Sequence, residues 1–590
     1  MDVKRRIGVR ICALQCLQVA VILYAVAFSG CQRHFLRNQQ CPPATGFCGE
    51  DASSVVLFHG TSGAPDALDS AAASLADAER LAAAQDAECV DRYYWATLQS
   101  WRHLEAATMP PCDNPDYQRD WKIYQQSLTG FIKSGQQHGR LDPRGRLLIS
   151  AGGGWRIIPV KYHGFAWKPS DFCELTLADD CSHSGLAVNY RSPGLGIALV
   201  AVRHASCEEP FHQISQPFAV TAVLRSGVGV PASADDSGAV LEFYNPYLFD
   251  SIRLGTAIVT LNRNLSAPMA YAVEHNSRNY LEGFLDPRDA DVKPKLWCWE
   301  PYQPSKIPLV LIHGLYSDPS TWADAVNTLC AQPDIYRQYQ IWFYGYPTGG
   351  AVLDSAAKLR EQLMVARDVF DPAHQDKSLE RMVLVGHSMG GLMAQLQVTY
   401  SSDILWRQAA KQPLEAVRTT PPMRKRLEDD FFFDPSPLVS RVVFIGTPHH
   451  GSSMARRVVG RAASNLVKSL GSEEEEYHQL MDANADVFYE YIQRSPPTSV
   501  DLLEPSNPFL EALACMPVSR CVKLHSIIGT GGSVLAGEPS DGVVPVSSAQ
   551  LAGVSSELFV PARHEKLHRD ETTLAELHRI LREHSCQFGR

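Results

Sequence analysis

Apolar residues recur at helical spacing in the first part of the chain and in short uninterrupted runs further on. Ala71 to Ala84 is alanine-rich and carries Leu75 and Leu81. Val90, Tyr94, Leu98 and Trp101 follow at i, i+4, i+8 and i+11, which places them on one helical face, and Tyr124, Leu128 and Phe131 continue the spacing. No second copy recurs at a fixed period, so these segments read as two or three core helices and not as a repeat array. From about residue 148 to 275 the pattern becomes short β-branched or apolar runs: Trp155–Val160, Ile197–Val202, Phe218–Leu224, Val240–Tyr244 and Ala257–Leu261. Turn clusters such as Ser192-Pro193-Gly194 and Pro231–Gly238 separate them, the punctuation of a β-rich region. Proline-rich Pro294–Pro308 reads as a linker. Beyond it Leu309–Ile312 is continuously apolar, as a strand buried on both faces requires, and Ile341–Tyr344, Met382–Val385, Arg441–Ile445, Val522–Gly529 and Glu557–Val560 follow as further strands. Helical patterns lie among them, ending in Leu574, Leu577, Ile580 and Leu581, and the stretch has the size of one α/β domain.

The length of 590 residues calls for more than one core. Hydrophobic residues at 45% and charged residues at 20% exclude a disordered chain and a polytopic membrane protein, and a net charge of −10 gives no footing for a nucleic-acid partner. At the start, Lys4, Arg5, Arg6 and Arg10 precede an apolar run from Ile11 to Phe28, the form of an export signal. Ala27-Phe28-Ser29-Gly30-Cys31 resembles the lipobox of bacterial lipoproteins, in which the cysteine is lipidated and becomes the new N-terminus; Phe28 departs from the usual aliphatic residue. The alternative is an uncleaved anchor, since about 18 apolar residues just span a bilayer. Either way the bulk of the chain is exported and membrane-tethered. Gln32, in place of an aspartate, implies by the same resemblance the outer membrane of a Gram-negative-type bacterium. Cleavage before Cys31 leaves a net charge of −13, which makes the lipid, and not electrostatics, the tether. Of the fifteen cysteines twelve then remain in an oxidising compartment, where spacing permits Cys41/Cys48, Cys173/Cys181 and Cys515/Cys521 to pair. No cysteine pair has metal-site spacing, so no metal is expected.

The expected organisation is a signal over residues 1–30, a spacer over 31–65, a helical region over 66–145, a β-rich accessory domain over 146–293 and a catalytic domain over 294–590.

The chemistry sits in that last part. The strand Met382–Val385 runs into Gly386-His387-Ser388-Met389-Gly390-Gly391, and a helix carrying Leu392 and Leu396 follows. Strand, GxSxG and helix in this order form a nucleophile elbow, with the serine hydroxyl exposed on a strained turn and the glycines leaving room for strand and helix to approach. Ser388 is therefore the candidate nucleophile. A serine needs a base, an acid to orient it and oxyanion donors. The acid and base follow in the order Ser, Asp, His. Asp541 stands in the tight polar turn Glu538–Pro545 after a strand, and His564 follows the strand Glu557–Val560, with His568 as runner-up. The backbone N–H of Met389 is the first oxyanion donor; Leu315, then Tyr316, in the loop after Leu309–Ile312 are candidates for the second.

These motifs resemble the α/β-hydrolase superfamily, especially its bacterial lipase and esterase branch. Ile445-Gly446-Thr447-Pro448-His449-His450-Gly451-Ser452 is similar to the GTPHxGS segment of triacylglycerol lipases and of hydrolases akin to GPI inositol deacylase, where it lines the site without supplying the base. The resemblance covers roughly half the chain. It implies a mostly parallel sheet with helices on both faces, preceded here by the helical region and the β-rich domain. His313, His387 and His449, with His450 behind them, are substrate-lining candidates against the plainer role of packing. Two insertions, 400–437 and 454–516, carry Leu405-Trp406, Arg424–Arg426 and Phe431-Phe432-Phe433, then Val458, Ala462, Leu466, Val467 and Leu470. They read either as a lid over acyl chains or as packed cap helices.

The expected function is a membrane-tethered serine hydrolase acting on carboxylic esters of lipid or acyl type, with no cofactor. Thioesterase, amidase or acyltransferase chemistry on the same three residues is the alternative, because all pass through an acyl-enzyme. A non-catalytic envelope lipoprotein with a silent hydrolase fold is a third reading.

Overall fold

The structure is a computed structural model. It describes residues 67–106, 114–151, 154–182, 185–204, 209–212, 215–226, 238–275, 293–453, 471–494, 499–535 and 537–588. All of them belong to one compact unit, residues 59–590. The export signal, Cys31, the spacer, Cys41 and Cys48 and the run Val458–Leu470 lie outside the described residues. Among those described, no helix is long and apolar enough to cross a membrane.

Three helices open the described chain: α1 (Ala67–Ala83), α2 (Cys89–Ala106) and α3 (Pro115–Gln137). Asn114 caps α3 by accepting from Asp116 N and Tyr117 N, and Pro115 occupies the first turn, where its missing N–H costs nothing. Val90, Tyr94, Leu98 and Trp101 are buried on α2, as are Tyr124, Leu128 and Phe131 on α3. Their partner is a seven-stranded sheet of β1 (Leu141–Asp142), β2 (Arg146–Ala151), β3 (Gly154–His163), β4 (Glu174–Leu177), β5 (Ile197–His204), β6 (Ser215–Arg225) and β7 (Val240–Tyr244). The strand order is β1-β2-β3-β7-β6-β5-β4, and only β3 and β7 pair in parallel. The helical and β-rich segments thus meet in one apolar core, in which Trp101, Tyr124, Phe131, Leu147, Leu199, Leu241 and Phe243 are contiguous. Ala257–Thr260 does not join the sheet; it pairs with Ser251–Leu254 as a separate hairpin.

The second sheet comprises β8 (Lys295–Cys298), β9 (Ile307–Ile312), β10 (Tyr339–Gly345), β11 (Met382–His387), β12 (Val439–Ile445), β13 (Lys523–Gly529) and β14 (Ser556–Val560). They lie in the order β8-β10-β9-β11-β12-β13-β14. All neighbours are parallel except β8 with β10. Alternate residues of the central strands face opposite layers. Val310, Ile312 and Leu384 join the cluster that holds Leu359 and Leu392, while Leu309, Leu311, Val383 and Val385 join the one that holds Leu329, Leu577 and Ile580. Burial on both faces is why these strands read as continuous apolar runs.

The expected linker is not free. Leu296 and Cys298 are both buried and draw Lys295–Cys298 onto the sheet as its antiparallel edge. Cys298 N also donates to Phe211 O (2.9 Å), and Gln216 Nε2 donates to Cys298 O (2.8 Å), so this strand joins the N-terminal body to the second sheet.

The permitted disulfides are not formed where they can be seen. Cys181 is a buried free thiol whose Sγ donates to Leu177 O within its own tight turn, and so is not bonded to Cys173. Cys515 ends the helix Pro508–Cys515, Cys521 stands in the turn before β13, and both are free exposed thiols. In the first insertion Leu405 and Trp406 are buried, and the Trp406 ring packs on Phe431 (5.3 Å), Phe432 and Phe488. Arg424 is used on the carbonyls of Leu414 and Val417, and Arg426 on Asp354. The middle of this insertion is packed on the hydrolase core.

Candidate active site

The sharp turn after β11 places Ser388 at φ 55°, ψ −125°, a left-handed conformation that L-residues adopt only under constraint. The constraint comes from close approach. A Cβ on Gly386 would lie 2.4 Å from Gly390 O, and one on Gly390 would lie 2.4 Å from the carbonyls of Ile312 and His313. Ser388 N still donates to Ile445 O (2.8 Å), so β12 holds the turn from the side. The helix Met389–Gln395 begins immediately afterwards.

Ser388, only 7% exposed, meets two side chains from far along the chain. His564 Nε2 lies 2.9 Å from Ser388 Oγ, and His564 Nδ1 lies 2.7 Å from Asp541 Oδ2. The other carboxylate oxygen of Asp541 accepts from Val543 N (2.9 Å) and Val544 N (2.7 Å), and His564 N donates to Asp541 O (3.0 Å). A buried carboxylate with both oxygens satisfied stays in place as acceptor, which sets Nδ1 of His564 as the protonated nitrogen and leaves Nε2 free to take the serine proton. The runner-up, His568, is elsewhere engaged: its Nε2 is 2.8 Å from Thr321 Oγ1.

The loop expected to supply the second oxyanion donor lies beside the nucleophile. A Cβ on Gly314 would sit 2.9 Å from Ser388 Cβ. Leu315 packs half-buried on the core, and Tyr316 has φ 59°. Met389 is the first residue of its helix, where an N–H has no intrahelical partner. His313 braces this loop: Tyr346 N donates to its Nε2 (3.3 Å), its Nδ1 donates to Gly314 O (3.0 Å), and Tyr346 stacks on its ring. Both ring nitrogens are thereby spent on the backbone. His449 is likewise buried, with Nδ1 2.8 Å from Gln395 Oε1 on the nucleophile helix. His387 points its Nε2 at the carbonyl of His564 (3.0 Å). Burial holds His313 and His568 down to about 4 and His449 to about 3, and burial followed by the adjacent imidazoles of His568 and His564 holds His387 well below its ordinary range. At neutral pH these rings add no positive charge around the base.

Residues 446–452 connect the nucleophile helix to the acid turn. Gly446 (φ 56°) lets the chain pass beneath Asp541 and His564, and Thr447 sits against Gly391. Ser452 Oγ donates to Val543 O, His450 N to Ser548 O, and Ser548 Oγ to Gly451 O (2.5 Å). The place of this segment beside the site is what the family resemblance implies; its contacts leave no signature in the sequence beyond the glycine directly after β12. Among the described residues, no group of three or more histidine, cysteine, aspartate or glutamate side chains is placed to hold a metal ion.

Residues 309–568, from β9 to just past His564, match the model of the Alpha/beta hydrolase family. The C-terminal part of the chain is an alpha/beta hydrolase domain. No curated protein sequence matches significantly. Among solved structures, the chain is similar to the mature lipase of Bacillus licheniformis: 19% identity, TM-score 0.29, 48% of this chain and 97% of that one. It is also similar to a butyrate-bound thermophilic esterase of Thermogutta terrifontis, at 13% identity and TM-score 0.28 over 51% of this chain and 92% of that one. An esterase of Exiguobacterium antarcticum matches at 14% and 0.25 over 49% and 96%.

Proposed function

We propose that the chain is a serine hydrolase that cleaves carboxylic esters of lipid or acyl type, exported and tethered through Cys31. The observation that supports the chemistry is the unbroken hydrogen-bonded sequence from Asp541 through His564 to Ser388. In this reading His564 Nε2 takes the Ser388 proton as Oγ attacks the ester carbonyl. The oxyanion forms beside the Met389 and Leu315 backbone amides. His564 returns the proton to the departing alcohol oxygen, leaving an acyl-enzyme, then deprotonates water, which releases the acid and restores Ser388. The lipid preference and the tether rest on the sequence resemblances.

The test is labelling by a fluorophosphonate together with turnover of chromogenic esters of graded chain length. Ser388→Ala is expected to abolish both while leaving the circular dichroism unchanged. Undiminished turnover refutes the reading. The labelled protein is expected in the membrane fraction, and Cys31→Ser is expected to move it to the soluble fraction; no shift refutes the tether.

A further inference from the structure

The residue before the nucleophile is committed to the base. His387 is 6% exposed, and its ring faces the base. Its Nε2 lies 3.0 Å from the main-chain carbonyl oxygen of His564, and a carbonyl only accepts, so Nε2 carries the hydrogen. The ring packs against those of His564 (4.9 Å) and His568 (4.5 Å), and a Cβ on Gly314 would be 3.3 Å from its Nδ1. The base and the loop beside the nucleophile therefore converge on this ring. The main-chain N–H and the Nδ1 of His564 are both bonded to Asp541. Among the described residues, apart from the reacting contact to Ser388 itself, the bond from His387 is the one hydrogen bond between the nucleophile strand and the base.

We infer that His387 is a positioning residue, whose Nε2–H pins the His564 main chain to β11 and so keeps the His564 imidazole in reach of Ser388 Oγ. This rests on the serine-hydrolase reading. Misplacing a catalytic group by about 1 Å costs on the order of 100-fold in rate. A neutral donor suits the task, because His564 becomes positive during the reaction and a charged neighbour would oppose that.

The test compares two substitutions in the full chain. His387→Phe keeps the ring and loses the donor; His387→Gln offers an amide N–H near the position of Nε2. With a chromogenic ester, His387→Phe is expected to lower kcat by roughly 10- to 100-fold with KM nearly unchanged, and His387→Gln to recover most of the loss. A wild-type kcat in His387→Phe, equal losses in the two variants, or a loss carried by KM overturns the inference. Nitrogen-15 NMR of the histidines in the unsubstituted protein tests it without relying on either variant folding. The Nε2–H tautomer of His387 is expected, and the Nδ1–H tautomer overturns it. Failure of the unsubstituted protein to label at Ser388 would instead refute the underlying hydrolase reading.

Discussion

Gly446 shows how little room surrounds the base. Its φ of 56° belongs to the left-handed region, and a Cβ there would sit 3.2 Å from Asp541 Oδ2 and 3.4 Å from His564 Nδ1. Those atoms are bonded to each other and have no slack to give. Gly446→Ala is therefore expected to cost about 1–2 kcal/mol in stability from backbone strain, and to lower kcat about tenfold or more by spreading the acid–base pair. Parallel denaturant titration and steady-state kinetics measure both, and a variant that loses stability but keeps kcat would show that the pair absorbs the methyl group. At this scale legibility divided by distance along the chain. Ser388 and His564 stand just past a strand and Asp541 in a tight polar turn, each with a local signature, and the structure brings them together. The contact between His387 and His564 joins residues 177 positions apart and has no local signature at all. A histidine near a nucleophile, such as His313, His387 or His449, looks the same in sequence whether its nitrogens face substrate, a side chain or the backbone.

Tyr124 on α3 makes the same point for elements. Its apolar spacing identifies a buried face, and the ring is indeed buried, yet the hydroxyl has a separate task. It donates to Leu224 O (3.0 Å) and accepts from Leu224 N (3.2 Å), satisfying the end of β6 where β5 no longer reaches. Tyr124→Phe leaves a buried N–H and a buried carbonyl without a partner and is expected to cost about 1–3 kcal/mol. Urea unfolding measures it; an unchanged midpoint would mean that the strand end finds another partner. Most strands of both sheets were legible because their runs are apolar and bounded by turn residues. That α1, α2 and α3 share a core with the first sheet was not, since periodicity reports that a face is buried and not what covers it. Lys295–Cys298 was hidden among prolines, its two inward residues too few to outweigh them.

Across the whole molecule, the buried imidazoles set the response to acid. Burial holds His313, His525 and His568 to about 4 and His449 and His584 to about 3, far below the unfolded value near 6.5. Between the two values the unfolded chain binds protons that the folded chain refuses. Stability is thus fully present above about pH 6.5 and declines as pH falls toward 4, by up to about 1.4 kcal/mol per pH unit for each group. Thermal melting from pH 7.5 to 5 is expected to show a steadily falling midpoint with uptake of more than one proton on unfolding, and a flat profile would contradict it. The edge strand Lys295–Cys298 has a different consequence. It is hydrogen-bonded on one side to β10 and on the other to Phe211 and Gln216. The alpha/beta hydrolase domain consequently has no frontier at residue 309, where the family match begins. A chain started there would bare the backbone of β10 over Trp342–Gly345, an open template for other strands. The front half is in this sense a cover for the sheet as much as a neighbour to it, and the two halves are not interchangeable parts.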